Sequence, residues 1–383
     1  MRILHLNTER GWRGGERQAL WLAVELARRG HQSTVAARSR HPLAKHAHEA
    51  GLPVVNCSPR FEGDPLRVYR IRRAILRFHI DVVHAHTAHD VTLGALAIVG
   101  TDARLVVSRR VDFPLRDNPG TRWKYARASA IIAVSHAVAE VLLASGTERW
   151  RIAVVPDGVD VHRDIAPASP EILAGLGIPP KTPLVVQVAH LVGHKDPLNF
   201  VRAVVRARRE VPALHGLLVG DGGLRSAVEA EIRKLGAEEY VHLAGFRGDA
   251  DSLIAASTVF VLSSREEGLG SVLLDAMFLG RPIAATRAGG IPEVVRDGVD
   301  GLLAPTRDPD ALGAAIARLV SDPWLAGRLG DSARERVQQF SVERMTDATE
   351  QVYQAVLAGQ PPGSWSAAPV RAHPPADDNA ASA

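Results

Sequence analysis

Short runs of aliphatic and β-branched residues alternate with longer amphipathic segments along nearly the whole chain. This alternation is typical of parallel sheets whose strands are joined by crossover helices, so it limits the fold to the α/β class. The chain has 383 residues, which is more than a single hydrophobic core usually supports. We therefore expect two domains, each a doubly wound, Rossmann-like sheet.

The predicted strands fall into two groups separated by a segment without periodicity. The first group comprises 2–7, 33–37, 53–57, 81–86, 104–108, 130–135 and 151–155. The second comprises 184–189, 214–219, 241–245, 259–263, 282–286 and 301–303. Prolines and polar residues fill 156–170, which predicts an interdomain linker. Residues 359–383 are rich in Gly, Pro, Ala and Ser, so a disordered tail is expected there.

Composition limits the cellular setting and the classes of site. Cys57 is the single cysteine, which excludes an internal disulfide and a cysteine-rich metal cluster. The N-terminal residues have no secretion-signal pattern, and no apolar stretch reaches the roughly 18 residues of a membrane span. A soluble, cytoplasmic protein is expected.

Charge is unevenly divided along the chain. Residues 1–165 carry 25 basic and 16 acidic side chains, whereas the remainder carries 21 and 26. An arginine-rich but ordinary surface explains this imbalance, and so does attraction to an anionic membrane leaflet or a phosphorylated acceptor. Five arginines between 67 and 77 alternate with apolar residues, a pattern that predicts a basic amphipathic helix suited to peripheral membrane contact. No nucleic-acid-binding motif is found, so no nucleic-acid partner is expected.

The segment 263–277 is the most informative for chemistry. An apolar strand ends in two serines, and two carboxylates and Gly268-Leu269-Gly270-Ser271 follow before a helix opens. Glycines allow a ligand to approach the backbone, and the free amides of a first helical turn suit phosphate oxygens. Asp275, one turn further along, is placed to accept the hydroxyls of a ribose, and Glu267 to hold a sugar at the other end. A plain glycine-rich connection is the alternative interpretation.

The same region carries a family resemblance. Glu267 is followed eight positions later by Asp275, and then by Ala276-Met277, Gly280, Pro282 and the run 288–295. This order resembles the C-terminal signature of the retaining family 4 glycosyltransferases of bacterial glycan biosynthesis, which have the GT-B fold. The resemblance implies that Glu267 contacts the donor sugar and phosphate and that Asp275, usually Glu in the family, contacts the ribose.

The resemblance also assigns roles to the parts of the chain. It implies an acceptor-side domain at 1–160, a donor-nucleotide domain at 161–340 and a helix at 341–358 that braces the first domain. The donor would be a nucleoside-diphosphate sugar, used as a substrate without any cofactor. The acceptor would be a glycan or glycolipid, such as lipopolysaccharide or another envelope polysaccharide.

A second matching element follows the first strand of the C-terminal half. Family members place Arg and Lys five residues apart there to neutralise the donor pyrophosphate; here His190 and Lys195 occupy those positions. An imidazole is a weaker and pH-dependent partner, so neutralisation is expected to rest chiefly on Lys195. A surface or capping lysine is the simpler alternative.

Three loops complete the expected donor and acceptor sites. Gly14-Gly15 resembles the family's loop that closes over the donor phosphates, and Glu16 is a candidate for the acceptor side. Gly220 resembles a turn near the nucleotide. Phe246 and Arg247 follow the strand end where relatives meet the base. Each is equally compatible with an ordinary turn.

Histidines and arginines gather on neighbouring strand ends in the first half. His84 and His86 are two residues apart on one predicted strand, so they lie on the same face. His86, at the carboxyl end of the strand, is the better candidate to line the cleft. We predict no metal site, since the sequence indicates no third ligand. Arg109 and Arg110 stand where relatives carry a histidine near the transferred sugar, so they are candidates to bind an anionic group on the acceptor side.

These features together predict a metal-independent retaining glycosyltransferase with Glu267, Lys195 and His86 as candidate catalytic residues. A non-hydrolysing sugar-nucleotide epimerase and a non-catalytic sugar-nucleotide-binding protein remain alternatives. The nucleobase, the sugar and the acceptor are not determined by the sequence.

Overall fold

A computed structural model of the protein describes residues 1–362, so most of the predicted tail, 363–383, lies outside the described residues. The N-terminal half contains β1 Arg2–Leu6, α1 Gly14–Arg28, β2 Gln32–Ala37, α2 Pro42–Glu49, β3 Val54–Asn56, α3 Pro65–Arg77, β4 Val82–Ala85, α4 Ala88–Ala97, β5 Arg104–Arg109, α5 Pro119–Ala126, β6 Ala130–Ala133, α6 His136–Ala144 and β7 Ile152–Val154.

The C-terminal half repeats the alternation. It contains α7 Pro170–Gly175, β8 Leu184–Val188, α8 Pro197–Arg208, β9 His215–Val219, α9 Arg225–Lys234, β10 Val241–Gly245, α10 Ala250–Ala256, β11 Val259–Leu262, α11 Ser271–Phe278, β12 Ile283–Thr286, α12 Ile291–Val294, β13 Leu302–Ala304, α13 Pro309–Ser321, α14 Pro323–Arg336 and α15 Val342–Leu357.

Each half is built on one parallel sheet. The strand orders are β3-β2-β1-β4-β5-β6-β7 and β10-β9-β8-β11-β12-β13. Both orders reverse direction once, between β1 and β4 and between β8 and β11. Ligands of open α/β sheets bind beyond the carboxyl ends of the strands at such a reversal. The topology therefore points to the loops that follow these four strands.

Except in the edge strands β3 and β10, the strand residues are mostly buried because helices cover both faces of each sheet. This two-sided burial explains why the strands appear in the sequence as continuous apolar runs. Several helices begin where a side chain caps the first turn: Asp64 before α3, Thr87 before α4 and Ser135 before α6 each accept a bond from a free backbone amide.

The prediction of two Rossmann-like sheets is confirmed. Every predicted strand is present within residues 1–362, and the boundaries differ by at most two residues at either end. Among these residues no helix combines the length and the apolar character that crossing a bilayer requires.

The chain crosses between the halves at two adjacent points. Val159, in the linker, donates to the carbonyl of Phe340 (2.8 Å) and accepts from the amide of Val342 (3.1 Å). Helix α15 then returns to the N-terminal sheet, where Tyr353 is fully buried in a cluster with Ile3. The last helix is therefore part of the N-terminal core.

Gly158 lies where these crossings are packed most tightly, and its replacement by alanine tests the arrangement. A Cβ there would lie 2.8 Å from the Cα of Val342 and 2.9 Å from the carbonyl oxygen of Ser341. Because both neighbours are backbone atoms, we expect Gly158→Ala to lower the free energy of unfolding by about 1–3 kcal/mol. Chemical denaturation measures this loss. Gly248→Ala, at a position with open space around it, is the control and should change little.

Candidate active site

The start of helix α11 faces the N-terminal half across the interdomain boundary. Gly270 precedes the helix in a left-handed conformation with φ of 85°, and Gly268 lies against the loop after β5. A Cβ on Gly268 would lie 2.2 Å from the carbonyl oxygen of Arg110. These glycines allow the backbone amides of Leu269 to Ser271, at the start of α11, to come close to the N-terminal half.

Glu267 and Lys195 meet at the reversal point of the second sheet. Lys195 follows β8, Glu267 follows β11, and the ammonium group is ion-paired with the carboxylate. Ser264 donates to the same carboxylate at 2.9 Å. Gln187 holds the two strand ends together by accepting from the amide of Ser263 at 3.0 Å. The two candidate residues are thus brought together from positions 72 residues apart.

Asp275 is 1% exposed and is compensated by two arginines from outside the C-terminal sheet. Arg17, in α1, and Arg163, in the linker, both pair with its carboxylate, the latter at 2.8 Å. Both guanidinium groups also lie near Asp251, at 3.6 and 2.7 Å, and over the ring of Trp21. A carboxylate so deeply buried requires pairing of this kind.

Further polar contacts hold the two halves together around α11. The amide of Glu267 donates to Asp112 (2.7 Å), and Ser271 donates to Asp157 (2.6 Å). Glu293 accepts from two amides at the start of α6, His136 and Ala137, both at 2.8 Å. The structure is therefore a closed state, with the start of α11 packed against the N-terminal half.

The nucleotide-side turns lie side by side at the carboxyl edge of the second sheet. The amide of Gly220 donates to the carbonyl of Gly245 (2.8 Å), and Leu191, next to His190, donates to Asp221 (3.0 Å). The strand-end turns that bear His190, Gly220 and the Phe246-Arg247 pair are thus adjacent. Phe246 is 67% exposed, while Arg247 is engaged by Asp249 at 2.6 Å.

Gly14 and Gly15, predicted to lie in a loop, form the first turn of α1, and this turn faces the start of α11. A Cβ built on Gly14 would lie 4.0 Å from Ser271 Oγ, and one on Gly15 would meet open space. Glu16 has a different environment from the one expected of an acceptor ligand. Its carboxylate accepts from the amide of Arg13 (2.9 Å) and so caps α1, and burial raises its pKa.

Arg109, the last residue of β5, and Arg110, which follows it, have different surroundings. Arg109 is buried, donates to the carbonyl of Phe113 and lies over the Phe113 ring. Arg110 lies at the interdomain boundary, where its Nε donates to Asp157 at 2.8 Å and its Nη1 is 3.4 Å from His86. Arg110 is thus the one that borders the candidate site.

His86 belongs to a buried histidine cluster beneath Arg110. His5, on the neighbouring strand β1, hydrogen-bonds His86 at 3.3 Å, and His84 bonds Tyr353 at 2.5 Å and Ser108 at 2.8 Å. Burial lowers the pKa of His5 to about 3 and the pKa values of His84 and His86 well below the ordinary value. All three imidazoles are therefore neutral near pH 7.

His5 supplies the third nitrogen that the sequence did not indicate. One nitrogen from each ring lies within 4.8 Å of the others. The rings of His84 and His86 are tilted by 32° with centroids 4.1 Å apart, and both nitrogens of His84 are already hydrogen-bonded, to Tyr353 and to Ser108. Hydrogen bonds to protein groups explain the cluster, and the absence of a metal stays a prediction.

Several residues of this region were missed by the sequence analysis. They are Asp112, Asp157, Arg163, Asp251 and Glu293, each of which contacts the other half or a candidate donor residue. Asp112, Asp157, Arg163 and Asp251 belong to no motif that the sequence shows. Glu293, within the run 288–295, and Arg17, directly after Gly14-Gly15-Glu16, are the ones whose positions could have marked them.

Comparisons with known proteins agree with this arrangement. Residues 12–163 match the profile of the family described as Glycosyltransferase Family 4, and residues 169–336 match Glycosyl transferases group 1. The lipopolysaccharide core biosynthesis glycosyltransferase LpsE of Rhizobium meliloti (strain 1021) is 32% identical over 257 residues, which cover 67% of this chain and 70% of LpsE. The chain belongs to glycosyltransferase family 4. It is a transferase enzyme of this family.

Other relatives of this glycosyltransferase differ in their named products. An alpha-maltose-1-phosphate synthase of Mycobacterium tuberculosis (strain CDC 1551 / Oshkosh) is 30% identical over 72% of this chain and 79% of its own length. Among solved structures, HepE of Anabaena in complex with UDP-glucose superimposes with a TM-score of 0.81 at 22% identity, over 93% of this chain and 100% of HepE. The superposition confirms the GT-B fold.

The buried histidine cluster predicts that this glycosyltransferase loses folding stability as the pH falls. His5 has a folded-state pKa of about 3, below the unfolded value near 6.5, so the unfolded state binds an extra proton between these values. Stability is therefore lost as the pH falls from about 6.5 towards 3, by up to about 1.4 kcal/mol per pH unit for this histidine.

We expect His5→Gln to reduce the slope of unfolding free energy against pH between about 5.5 and 4.5 by a measurable part of that value. Urea denaturation at a series of pH values gives the slope. His162→Gln, at an exposed side chain, is the matched control. Parallel curves for His5→Gln and the unchanged protein would contradict the proposed cause.

Proposed function

We propose that this enzyme moves a glycosyl group from a nucleoside-diphosphate sugar to an envelope glycan or glycolipid, with retention of anomeric configuration and without a metal ion. The observation that carries the proposal is the meeting of Lys195 and Glu267 at the sheet reversal, next to the free amides at the start of α11. HepE of Anabaena was solved in complex with UDP-glucose. We infer that this enzyme uses a donor of the same chemical class, a nucleoside-diphosphate sugar.

In this proposal the diphosphate lies between the start of α11 and the start of α1, at Gly14 and Gly15. Lys195 and the amides of Leu269 to Ser271 stabilise the charge that develops as the leaving phosphate separates. Glu267 binds hydroxyl groups of the sugar, and Asp275 binds the ribose. The turns at His190, Gly220 and Phe246 border the nucleoside.

The transfer step needs no protein nucleophile. The acceptor hydroxyl attacks the anomeric carbon on the face from which the phosphate departs, so the new carbon–oxygen bond forms as the bond to the phosphate oxygen breaks. The proton of the hydroxyl passes to the departing phosphate. The protein's part is to orient the two reactants, to stabilise the phosphate and to exclude water.

Donor entry requires the halves to separate. In the closed state the Gly268 backbone contacts the loop of Arg110, and Asp112 occupies the amide of Glu267. These groups stand where the donor sugar would lie. The proposed cycle therefore begins with opening at the linker, followed by closure on the bound donor.

A thermal-shift screen of UDP-, GDP-, ADP- and dTDP-sugars tests donor binding, followed by transfer assays on the sugar that binds. We expect Glu267→Ala to lower kcat by about 100-fold or more. Lys195→Ala should weaken donor binding about tenfold or more, because a charge-assisted contact is lost.

Two variants serve as controls. Glu266→Ala removes a neighbouring, half-exposed carboxylate, and Lys234→Ala removes an exposed ammonium group; both should retain turnover. Unchanged transfer in Glu267→Ala and Lys195→Ala would contradict the site. Conversion of the donor without an acceptor would instead indicate an epimerase, and binding without any turnover a non-catalytic protein.

We also propose that the acceptor is reached at an anionic membrane surface. Helix α3 exposes Leu66 (55%), Tyr69 (60%) and Leu76 (53%) on the face that also carries Arg70 and Arg73. This combination of apolar side chains and arginines suits the headgroup region of an anionic leaflet. LpsE acts in lipopolysaccharide core biosynthesis by its name, which agrees with an acceptor in the cell envelope.

Vesicle sedimentation tests this surface. We expect binding to vesicles that contain phosphatidylglycerol, weaker binding as salt is raised, and several-fold weaker binding for a variant in which Leu66, Tyr69 and Leu76 are all serine. Trp324→Ser, at an exposed position of the other half, is the control. Equal binding of all variants would exclude α3 as the membrane contact.

A further inference from the structure

We propose that Arg17 is a ligand of the donor diphosphate and supplies, from the N-terminal half, the positive charge that the C-terminal half lacks at His190. This inference rests on the proposed function, since it names a further residue of the same donor site. It is carried by the position of Arg17, by its unused hydrogen-bonding capacity and by the carboxylates around it.

Arg17 lies one turn into a helix whose start faces the start of α11. A Cβ built on Gly14, at the beginning of α1, would lie 4.0 Å from Ser271 Oγ. Three residues further along α1, the Arg17 side chain contacts Asp275, which is four residues beyond Ser271 in α11. A diphosphate placed between the two helix starts would therefore lie within reach of the Arg17 guanidinium group.

The guanidinium group of Arg17 is not fully used in the closed state. One terminal nitrogen pairs with Asp275 and the other lies 3.6 Å from Asp251. Its Nε is buried and has no hydrogen-bond partner among the described residues. A buried donor without an acceptor is costly, and a phosphate oxygen from the neighbouring donor site would satisfy it.

Carboxylates occupy the region where the donor's negative charge would lie. Besides Asp275 and Asp251 on Arg17, the carboxylate of Asp157 accepts from Ser271 Oγ at 2.6 Å and from Arg110 Nε at 2.8 Å. The Asp157 carboxylate thus contacts the side chain of the first residue of α11, beside the amides that would bind a phosphate. In the closed state, these three carboxylates therefore lie beside arginines at the position that the diphosphate would take in the proposed donor complex.

The charge of the donor requires another cation besides Lys195. Lys195 is already paired with Glu267, and His190 offers an imidazole where a guanidinium group is usual. When the ribose hydroxyls bind Asp275, that carboxylate keeps Arg163 as its partner at 2.8 Å, so Arg17 is released towards the phosphates. Arginine is well suited to this exchange because its planar fork matches phosphate as well as carboxylate.

Calorimetry with two ligands tests the inference. The first is whichever of UDP, GDP, ADP and dTDP gives the largest thermal shift with the unchanged enzyme, and the second is the matching nucleoside. We expect Arg17→Gln to weaken binding of the diphosphate about tenfold or more while binding of the nucleoside changes less than twofold. Arg17→Lys, which keeps the charge, should lie between, and its melting temperature checks folding.

Two further variants separate a phosphate ligand from a simple interdomain contact. Arg163→Gln removes the other arginine on Asp275 and should not weaken the diphosphate selectively. His190→Arg, combined with Arg17→Gln, should restore most of the lost diphosphate affinity, because it places a guanidinium group beside the same negatively charged diphosphate.

The inference is overturned if Arg17→Gln binds the diphosphate as tightly as the unchanged enzyme or more tightly, if it weakens nucleoside and diphosphate equally, or if His190→Arg gives no rescue. If the unchanged enzyme binds none of the four diphosphates, the proposed donor site itself is wrong, which is a separate result.

Discussion

A carboxylate that is 1% exposed must be compensated, and Asp275 meets this requirement by drawing arginines from outside its own sheet. Removing one partner of such a buried pair typically costs about 3–5 kcal/mol, because the remaining charge is left in a poorly solvated place. Closure of the two halves therefore neutralises the buried carboxylate of Asp275 in α11. In the proposed donor site, a ribose bound to Asp275 would compete with the contacts that hold the enzyme closed, which would couple donor affinity to interdomain geometry.

The fold was predictable from the sequence because its strands are buried on both faces. Runs such as Val259–Leu262 and Ile283–Thr286 carry no alternation, which is the pattern of parallel strands under helices on both sides. The order of these runs also gave the two-sheet organisation. Strand ends were less well predicted, since the register of hydrogen bonds decides them and composition does not; Ser263, for example, was assigned to a strand but binds Gln187 beyond its end.

The candidate site was predicted in part. The family resemblance assigned Lys195 and Glu267 to the same donor site without predicting a contact between them, and the structure brings the two side chains together. Contacts across the boundary between the halves, such as Asp112 on the Glu267 amide, depend on how two separately folded sheets are placed, which no local pattern encodes. His86 lies beside His5, which is 81 residues earlier in the chain, because β1 and β4 are neighbours in the first sheet; the pattern within a strand does not show which strand lies next to it.

The paired crossings at Val159 and Ser341 determine how the two halves can move. Because the linker and the start of α15 are hydrogen-bonded to each other, the connection between the halves acts as a narrow double strand of chain. Such a connection resists sliding and twisting, but it permits rotation about an axis through the two crossings. In such a rotation, residues far from the two crossings travel further than those beside them, so the cleft is expected to open as a wedge.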